Sequence, residues 1–483
     1  MSDRRLTRRQ FEKSLGLTVL GSSLLAGEAC NSSRQATESK PQPGTAPKPR
    51  FEATRGPADL TIPPSTPAGE IWRYGLAYPF QVAPGQAMLF VNIRGNRGHD
   101  FEIGTDAILF DDDATIRADR AIPVSRNHEE TNPRSSPPGK PSIMVKYPLT
   151  GGFVPLQAKR ADGSPHPHAG TGFGFCVGEA WPRDGDRAYS KAEYYEYLEL
   201  QQYAFDGTNF RVEATEKILP DQLLSGWRIE HPGISHAVAD GDDFLLSVRG
   251  SVDKTNIGSG VMRWRRGDKG WRAVSFVPIE EFDNAHGPSL MRDLDGSLIF
   301  CAAGTFGTEF DNDVRMWRSK DAGASWQPLL HVRSAVSASP HSINRAGDGT
   351  VYIGGTLFEI FLQPIPDPFR RRRDPEGRVR AGGRSREKLA IWPLTADRTD
   401  IENAILVRDA RAEFGVPPSG TTWFVDHPSA MTVHLKDGRW HNLLAFRICD
   451  GAEVLRGAAP APQTGTYIEE LTSSEKVIPL WNF

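Results

Sequence analysis

Short runs of alternating apolar and polar residues, separated by glycine-containing turns, recur from about residue 70 to the end of the chain. The clearest runs are Phe244–Arg249, Val261–Arg265 and Ser297–Cys301. A period of two residues is typical of half-buried β-strands, and Asp-Gly pairs between such runs are typical of hairpin turns. Five four-stranded units can be read in this way, and a sixth with ambiguous inner strands lies between residues 140 and 218.

Six repeats of one unit predict an all-β fold, a six-bladed β-propeller of four-stranded antiparallel blades. Closing such a ring removes exposed sheet edges. Two separate β-sandwiches are the alternative, but they would not need the same unit six times. Gly (47) and Pro (37) supply 84 of the 483 residues, above the average usage of roughly 12%, and this abundance of turn residues excludes a helical bundle.

The first 29 residues have the three-part layout of an export signal. The paired arginines Arg8 and Arg9 precede an apolar stretch, and small residues follow it. The segment Thr7–Lys13 resembles the twin-arginine motif, which implies the twin-arginine export machinery as a partner. A short amphipathic helix is the alternative, but the polar tract after it offers nothing to pack against. Residues 1–29 are therefore expected to direct export to the periplasm or the outer envelope surface.

Cys30 directly follows this expected signal, in the position of the lipid-modified cysteine of bacterial lipoproteins. Gly27 and Glu28 depart from the usual pattern before such a cysteine, so lipid anchoring and simple cleavage both stay open. Residues 30–68 contain too few apolar residues to bury a core and predict a disordered tether. The propeller is then expected to span residues 69–483.

Charge and cysteine content narrow the classes of function. A formal net charge of −3 argues against a nucleic-acid-binding protein, and no run reaches the ~18 apolar residues of a membrane span. The three remaining cysteines each end an apolar strand-like run and are expected to be buried thiols. They are Cys176, Cys301 and Cys449.

One segment matches a family motif. Ser319–Trp326, with the sequence SKDAGASW, fits the Asp-box pattern S-x-D-x-G-x-[ST]-W, and Arg266–Trp271 is a degenerate copy. This segment resembles the bacterial neuraminidase (BNR) repeat of sialidase-like β-propellers. The resemblance implies a tight turn between the two outer strands of a blade, with the tryptophan packed between blades.

Histidines stand at or just before the start of the innermost strand in several units. In a propeller these strands all begin at one face, so their first residues surround one mouth of the channel. A bond to nearby backbone is the alternative role for each imidazole, but the shared register favours a functional ring. The register contains His236, His286, His341, His427 and, in the ambiguous unit, His168.

Arginines stand near the ends of second strands, at the same face: Arg94, Arg249 and Arg447. A planar guanidinium group can hold a carboxylate or sulfate through two hydrogen bonds, so converging arginines predict an anionic ligand. The alternative is a structural ion pair for each, with Asp100, Asp253 and Asp450 respectively.

The first unit resembles the first-blade passage of sialidases. That resemblance implies that Arg94 binds the substrate carboxylate and that Asp100 acts as general acid/base. Such enzymes also use a tyrosine nucleophile activated by a glutamate. The sequence assigns this role to neither Tyr78 nor Tyr467, and Tyr78 is kept as the candidate catalytic residue. The segment Ala77–Phe80 lacks the arginine of the family's [FY]-R-I-P motif, which argues against exo-α-sialidase activity itself.

A histidine-lined mouth also suits other chemistry. Polysaccharide lyases on propellers use His or Tyr to take the proton α to a uronate carboxylate, and imidazole is the natural base near pH 7. His286 and His341 are the candidates for this role. Three or four imidazoles also suit Zn²⁺ or another divalent metal, although no HExxH or CxxC spacing is present and no cofactor is certain.

Two hypotheses of function follow. The first is an exported carbohydrate-active propeller, a glycoside hydrolase or polysaccharide lyase, that acts on an acidic polysaccharide or glycoconjugate at the channel mouth. The second is a non-catalytic envelope propeller that binds a glycan or a protein partner.

Overall fold

The computed structural model describes most of the chain beyond Phe51. The described residues are 52–95, 102–111, 114–131, 141–184, 187–188, 194–219, 222–252, 257–281, 283–285, 287–306, 312–333, 341–357, 386–472, 481 and 483. The expected export signal and Cys30 lie outside them. No helix in these ranges is long and apolar enough to cross a membrane.

Six antiparallel sheets form the blades of a propeller ring, as predicted, and are numbered 1 to 6 along the chain. The N-terminal strand β1 (Glu52–Leu60) belongs to the last of them. Blade 1 consists of β2 (Arg73–Ala83), β3 (Gln86–Arg94), β4 (Glu102–Leu109) and β5 (Ile122–Arg126). Blade 2 consists of β6 (His128–Thr131), β7 (Pro141–Val154), β8 (Thr171–Asp184), β9 (Arg187–Ala188), β10 (Tyr194–Phe205) and β11 (Phe210–Ile218).

Blades 3 and 4 have innermost strands that are split into two pieces. Blade 3 consists of β12 (Leu223–Leu224), β13 (Trp227–Pro232), β14 (Val238–Asp240), β15 (Asp243–Ser251), β16 (Ile257–Gly267) and β17 (Gly270–Glu281). Blade 4 consists of β18 (Asp283–Ala285), β19 (Ser289–Arg292), β20 (Leu298–Phe306), β21 (Asn312–Ser319) and β22 (Gln327–Arg333). In each case both pieces pair with the same second strand.

Blades 5 and 6 complete the ring. Blade 5 consists of β23 (Ser342–Arg345), β24 (Val351–Leu357), β25 (Lys388–Pro393) and β26 (Ile405–Asp409). Blade 6 consists of β27 (Trp423–His434), β28 (Trp440–Asp450), β29 (Gly465–Thr472) and β1. The short helices α1 (Ala410–Phe414) and α2 (Gly451–Arg456) and the 3₁₀ helix Ala118–Arg120 lie between strands.

The ring closes through a strand that the sequence assigned to the tether. Strand β1 pairs with β29, with Glu52 opposite Thr472 and Leu60 opposite Thr466. The ring therefore includes Glu52–Leu60, which lies before the expected start at residue 69. The fourth strand of blade 6 is β1. Joining both ends of the ring in one sheet leaves no exposed edge between the first and last blades.

Aromatic side chains fill the contacts between blades. Phe90 of blade 1 stacks on Tyr203 of blade 2, with ring centroids 5.1 Å apart, and Phe173 of blade 2 stacks on Trp264 of blade 3 at 5.3 Å. The three cysteines listed above are buried free thiols, as expected.

The segment Ser319–Trp326 forms a turn between β21 and β22, the two outer strands of blade 4. Asp321 accepts hydrogen bonds from the backbone and side chain of Ser325 and from the Ser319 hydroxyl. Gly323 has a φ of +89°, a conformation that favours glycine. Trp326 packs in the cluster that joins Leu245 of blade 3 to blade 4.

Hydroxyl side chains join the innermost strands of neighbouring blades into a belt around the channel. The Ser235 hydroxyl of blade 3 accepts from the Leu290 N–H of blade 4 (2.8 Å), and the Ser289 hydroxyl accepts from the Ile343 N–H of blade 5 (2.9 Å). The Ser342 hydroxyl donates to the Pro428 carbonyl of blade 6 (2.7 Å). These bonds satisfy backbone groups where the inner strands are interrupted.

The lower mouth of the channel is the end at which the innermost strands finish. Trp481 packs against the apolar cluster shared by blades 2 and 3. Phe483, two residues later, stacks on Trp440 of blade 6 at 6.4 Å. Blade 6 does not neighbour either of the other two, so this segment crosses the lower end of the ring.

Candidate functional site

His236 reaches across the centre of the ring. It lies between β13 and β14 of blade 3, yet its ring is 4.8 Å from Phe80 and 6.3 Å from Tyr78, both of blade 1. Its Nε2 atom is 3.2 Å from the hydroxyl of Ser429 in blade 6. Neither of those blades neighbours blade 3. These side chains therefore meet inside the channel. We call them the floor, and we call the part of the channel between this floor and the upper mouth, where the innermost strands begin, the cup.

Two acid/base groups of this floor have unpartnered polar atoms. The Tyr78 hydroxyl and the Nδ1 atom of His236 are buried and have no hydrogen-bond partner among the described residues. Burial raises the pKa of Tyr78, and the positive charge of Arg447 opposes that rise. Burial lowers the pKa of His236 to about 3. Near neutral pH the floor therefore carries a protonated phenol and an uncharged imidazole.

A buried ion-pair cluster stands beside the floor in blade 6. Arg447 donates to both carboxylate oxygens of Asp426, at 2.9 and 3.0 Å. Arg386 approaches the same carboxylate at 3.4 Å, and His427 Nδ1 lies 2.9 Å from it. Burial opposes ionisation of Asp426, but Arg447 and His427 outweigh it and hold its pKa well below the usual range.

This pairing corrects the expected partner of Arg447, because Asp450 lies elsewhere. The Asp450 carboxylate accepts from the Ala452 N–H and caps helix α2. His427 sits in the interrupted part of β27 with a φ of +55°. That strained conformation belongs to the register break between Asp426 and Ser429.

Arg94 lies between two carboxylates at the junction of blades 1 and 6. Its guanidinium nitrogens are 3.8 Å from Glu102 and 3.9 Å from Glu453, and all three side chains are almost fully buried. Burial raises the pKa of Glu453, and Arg94 opposes this. A substrate carboxylate would thus meet an arginine that already has anionic neighbours.

The structure separates the remaining predicted site residues. His341 precedes β23 and is buried against Trp392, with ring centroids 6.1 Å apart. Arg249 lies on β15 opposite His231. His168 does not share the register of the other histidines, because the innermost strand of blade 2 is β7. It lies in the loop after β7, at the lower face, and packs on Trp271.

Two predicted catalytic residues, Asp100 and His286, lie outside the described residues, as does Asp253. A divalent metal at the histidine ring stays a prediction, because His286 of that ring is among these undescribed residues. Within the described ranges no group of three or more His, Cys, Asp or Glu side chains is arranged to hold a metal ion.

Sequence reasoning missed a set of serines near the histidines in the chain, of which Ser429 bonds to His236. Ser235, Ser289, Ser342 and Ser429 recur beside them, in Ile-Ser-His, Gly-Pro-Ser, His-Ser and His-Pro-Ser. This recurrence is the available signal, because the serines, rather than the imidazoles, form most of the belt. Asp426 and Glu453 gave no comparable signal.

No family model matches the chain, and no curated protein matches it. Among solved structures, a protein of unknown function from Dyadobacter fermentans has a TM-score of 0.49 at 13% identity, over 88% of this chain and all of that one. The Trypanosoma rangeli sialidase in complex with sialic acid has a TM-score of 0.48 at 12% identity, over 88% of this chain and 59% of the sialidase.

A third similar structure is the Penicillium chrysogenum α-L-arabinanase with arabinobiose, with a TM-score of 0.45 at 12% identity. It is matched over 88% of this chain and over its own whole length. The fold assignment rests on the sheet order given above and not on these likenesses, which say nothing of the activity.

Proposed function

We propose that this chain is an exported, carbohydrate-active propeller that acts on an acidic glycan, by hydrolysis or by elimination, in the cup above Tyr78 and His236. The observation that supports this most directly is the pair of buried, unpartnered acid/base atoms in the cup floor. Polar groups of this kind are rare in folded proteins unless water or a ligand satisfies them. Both groups also have strongly shifted pKa values, and such groups cluster at functional sites.

The protonation states of the two groups suit proton donation by Tyr78 and proton acceptance by His236. The phenol of Tyr78 holds its proton and can donate it, whereas the uncharged imidazole of His236 can accept one. A pKa of about 3 makes His236 a weak base in the free protein. An anionic group bound close by would raise that pKa, so an acidic substrate would itself strengthen the base.

Arg386 is the arginine of the blade 6 cluster that keeps more contact with solvent. Its side chain is 20% exposed, against 3% for Arg447. We assign to it the first contact with the acidic group, with Arg447 and Asp426 holding the cluster in place. The predicted export signal and the possible lipid anchor at Cys30 would place this cup in the periplasm or on the outer envelope surface.

The test is incubation of the purified protein with uronic, sulfated and sialylated glycans, with and without a chelator. We expect bond cleavage, with an unsaturated product marking elimination and a new reducing end marking hydrolysis. Tyr78→Phe and His236→Gln should each lower kcat at least 100-fold, as is typical for loss of a general acid or base. Tyr467→Phe, a buried tyrosine outside the cup, is the matched control. Absence of both cleavage and binding would refute the proposal.

A second candidate is a non-catalytic envelope propeller that binds a glycan or a protein. The pairing of Arg447 with Asp426, and of Arg94 with two carboxylates, favours it, because neutralised arginines recognise anions less strongly. Binding without turnover, unaffected by Tyr78→Phe, His286→Ala or Asp100→Asn, would support this candidate over the first.

A further inference from the structure

Polar side chains line one face of blade 1, away from the cup. Asn92, Thr105 and Ser125 lie directly opposite one another on β3, β4 and β5, so they share one face of the sheet. Phe90, two residues before Asn92 on β3, stacks on Tyr203 of blade 2. Because side chains alternate along a strand, the three polar residues face blade 2 as well.

Among the described residues, none of these three side chains has a hydrogen-bond partner. Both amide atoms of Asn92 and the hydroxyls of Thr105 and Ser125 are buried and unpaired among the described residues. Asn92 is 0% exposed and Thr105 is 2% exposed. Native proteins retain few such groups, because each loses its hydration without gaining a replacement bond. Three in one row point to a common partner.

The facing wall of blade 2 is also polar. The Tyr203 hydroxyl donates to Gln201 (2.8 Å), and the Gln201 amide donates to Glu199 (2.9 Å). The Lys146 ammonium group completes this row, 2.7 Å from Glu199. Within the described ranges no hydrogen bond joins these residues to the row on blade 1. The described polar contacts of this row therefore stay within blade 2.

Asn127 bridges blades 1 and 2 at the upper side of this contact. Its N–H donates to the Ile103 carbonyl of blade 1 (2.8 Å), and its side-chain oxygen accepts from the Lys146 N–H of blade 2 (2.9 Å). On the channel side, Leu76 is 5% exposed and packs in the apolar cluster of the same contact. Because Asn92 and Thr105 are almost fully buried, a glycan or any other large ligand is excluded.

We propose that the contact between blades 1 and 2 contains a binding site for ordered water molecules, bounded by Asn92, Thr105, Ser125 and Gln201. The polar groups on the two walls favour a small neutral molecule that both donates and accepts hydrogen bonds. The positive charge of Lys146 disfavours a cation here, and the negative charge of Glu199 disfavours an anion. An apolar guest would leave the amide and hydroxyls unpaired. Water satisfies such groups in most proteins, with about three hydrogen bonds each.

The direction in which one substitution changes the Tm tests this site. Thr105→Val removes the hydroxyl at nearly constant volume. If water bridges the hydroxyl, the variant loses a bond and its Tm falls by about 2 °C. If the contact is dry, the variant loses only an unpaired polar group and its Tm rises. Thr356→Val is the matched control, because the buried Thr356 hydroxyl donates to the Val425 carbonyl at 3.1 Å and its loss must lower the Tm.

If Thr105→Val fails to fold, direct detection of the ordered water in the wild type tests the proposal instead. A high-resolution crystal structure of the whole chain should show density peaks within hydrogen-bond distance of both Asn92 amide atoms, and water-¹⁷O relaxation dispersion should detect long-lived internal water. A rise in the Tm of Thr105→Val, or a crystal structure without such peaks, would overturn the proposal.

Discussion

The Nε2 atom of His236 lies 3.2 Å from the hydroxyl of Ser429, although their blades stand on opposite sides of the ring. In the belt, the equivalent serines of blades 3, 4 and 5 bond to the backbone of the next blade. Ser429 instead reaches across the channel. Its bond fixes the imidazole against Tyr78 and Phe80, so one serine hydroxyl determines how the cup floor is organised.

Replacing Ser429 with alanine should loosen this floor. The imidazole loses the one hydrogen-bond partner it has among the described residues, and the free energy of unfolding should fall by about 1 kcal/mol. Nitrogen chemical shifts of the His236 ring, measured by NMR, should change with the tautomer balance. Ser342→Ala should cost similar stability without moving those shifts. Unchanged His236 shifts in Ser429→Ala would contradict a bond across the channel.

Removing the Tyr78 hydroxyl should leave stability unchanged or raise it by up to about 1 kcal/mol, because that hydroxyl is buried without a partner. Tyr467→Phe should instead lower the free energy of unfolding by about 1 kcal/mol, since the Tyr467 hydroxyl donates to the Gln463 carbonyl at 2.6 Å. Urea denaturation measures both. A clear loss of stability in Tyr78→Phe would mean that its hydroxyl is already satisfied in the free protein.

Removing Arg447 should be severely destabilising. Arg447→Met leaves the carboxylate of Asp426 buried without its two-point partner, and loss of one member of a buried pair costs about 3–5 kcal/mol. The control is Arg439→Met, because Arg439 is 70% exposed and pairs with Asp437 near the surface; such pairs contribute less than about 1 kcal/mol. Similar losses for both variants in guanidinium denaturation would contradict the buried role of Arg447.

Stability should depend on the protonation of His441. Its two ring nitrogens lie 3.1 Å from Glu470 and 3.1 Å from Asp437. The hydrogen bond with Glu470 raises the pKa of His441, and burial opposes this. Because the folded pKa exceeds the unfolded value of 6.5, the stabilisation is complete below about pH 6.5 and is lost as the pH rises through the folded pKa.

The measurement is the difference in unfolding free energy between the wild type and His441→Gln, taken from pH 6 to 9 by chemical denaturation. The difference should shrink as the pH rises. Thr356→Val, which removes no titratable group, should show no such trend. If the difference stays constant over this range, protonated His441 does not stabilise the fold through Glu470 and Asp437.

Phe483→Ala should open the lower end of the ring. The stacked contact with Trp440 contributes about 0.5–1.5 kcal/mol beyond its buried area, and its loss should expose the Trp440 ring. Acrylamide should then quench tryptophan fluorescence more strongly than in the wild type. Trp440→Phe should abolish most of that increase. Equal quenching in Phe483→Ala and the wild type would show that the segment does not cover the mouth.

Local sequence determined the fold of each blade. Period-two alternation, Asp-Gly turns and the SKDAGASW segment all act between residues close in the chain, so six four-stranded units could be recognised without any knowledge of how they meet. The same locality explains why β1 was missed. Its partner β29 lies about 400 residues away. The Pro- and Thr-rich segment that contains β1 has no local pattern that would indicate pairing with so distant a strand.

For the site, the sequence determined which residues stand near the inner strands, and tertiary structure decided which of them meet. Tyr78, His236 and Arg447 were all predicted, but the bonds to Ser429 and Asp426 depend on how far each strand is interrupted and on which blades face each other. His168 was misplaced because two runs of blade 2 had equally good strand patterns. Alternation identifies a strand, whereas only packing around the ring decides which strand is innermost and therefore which loops reach each mouth.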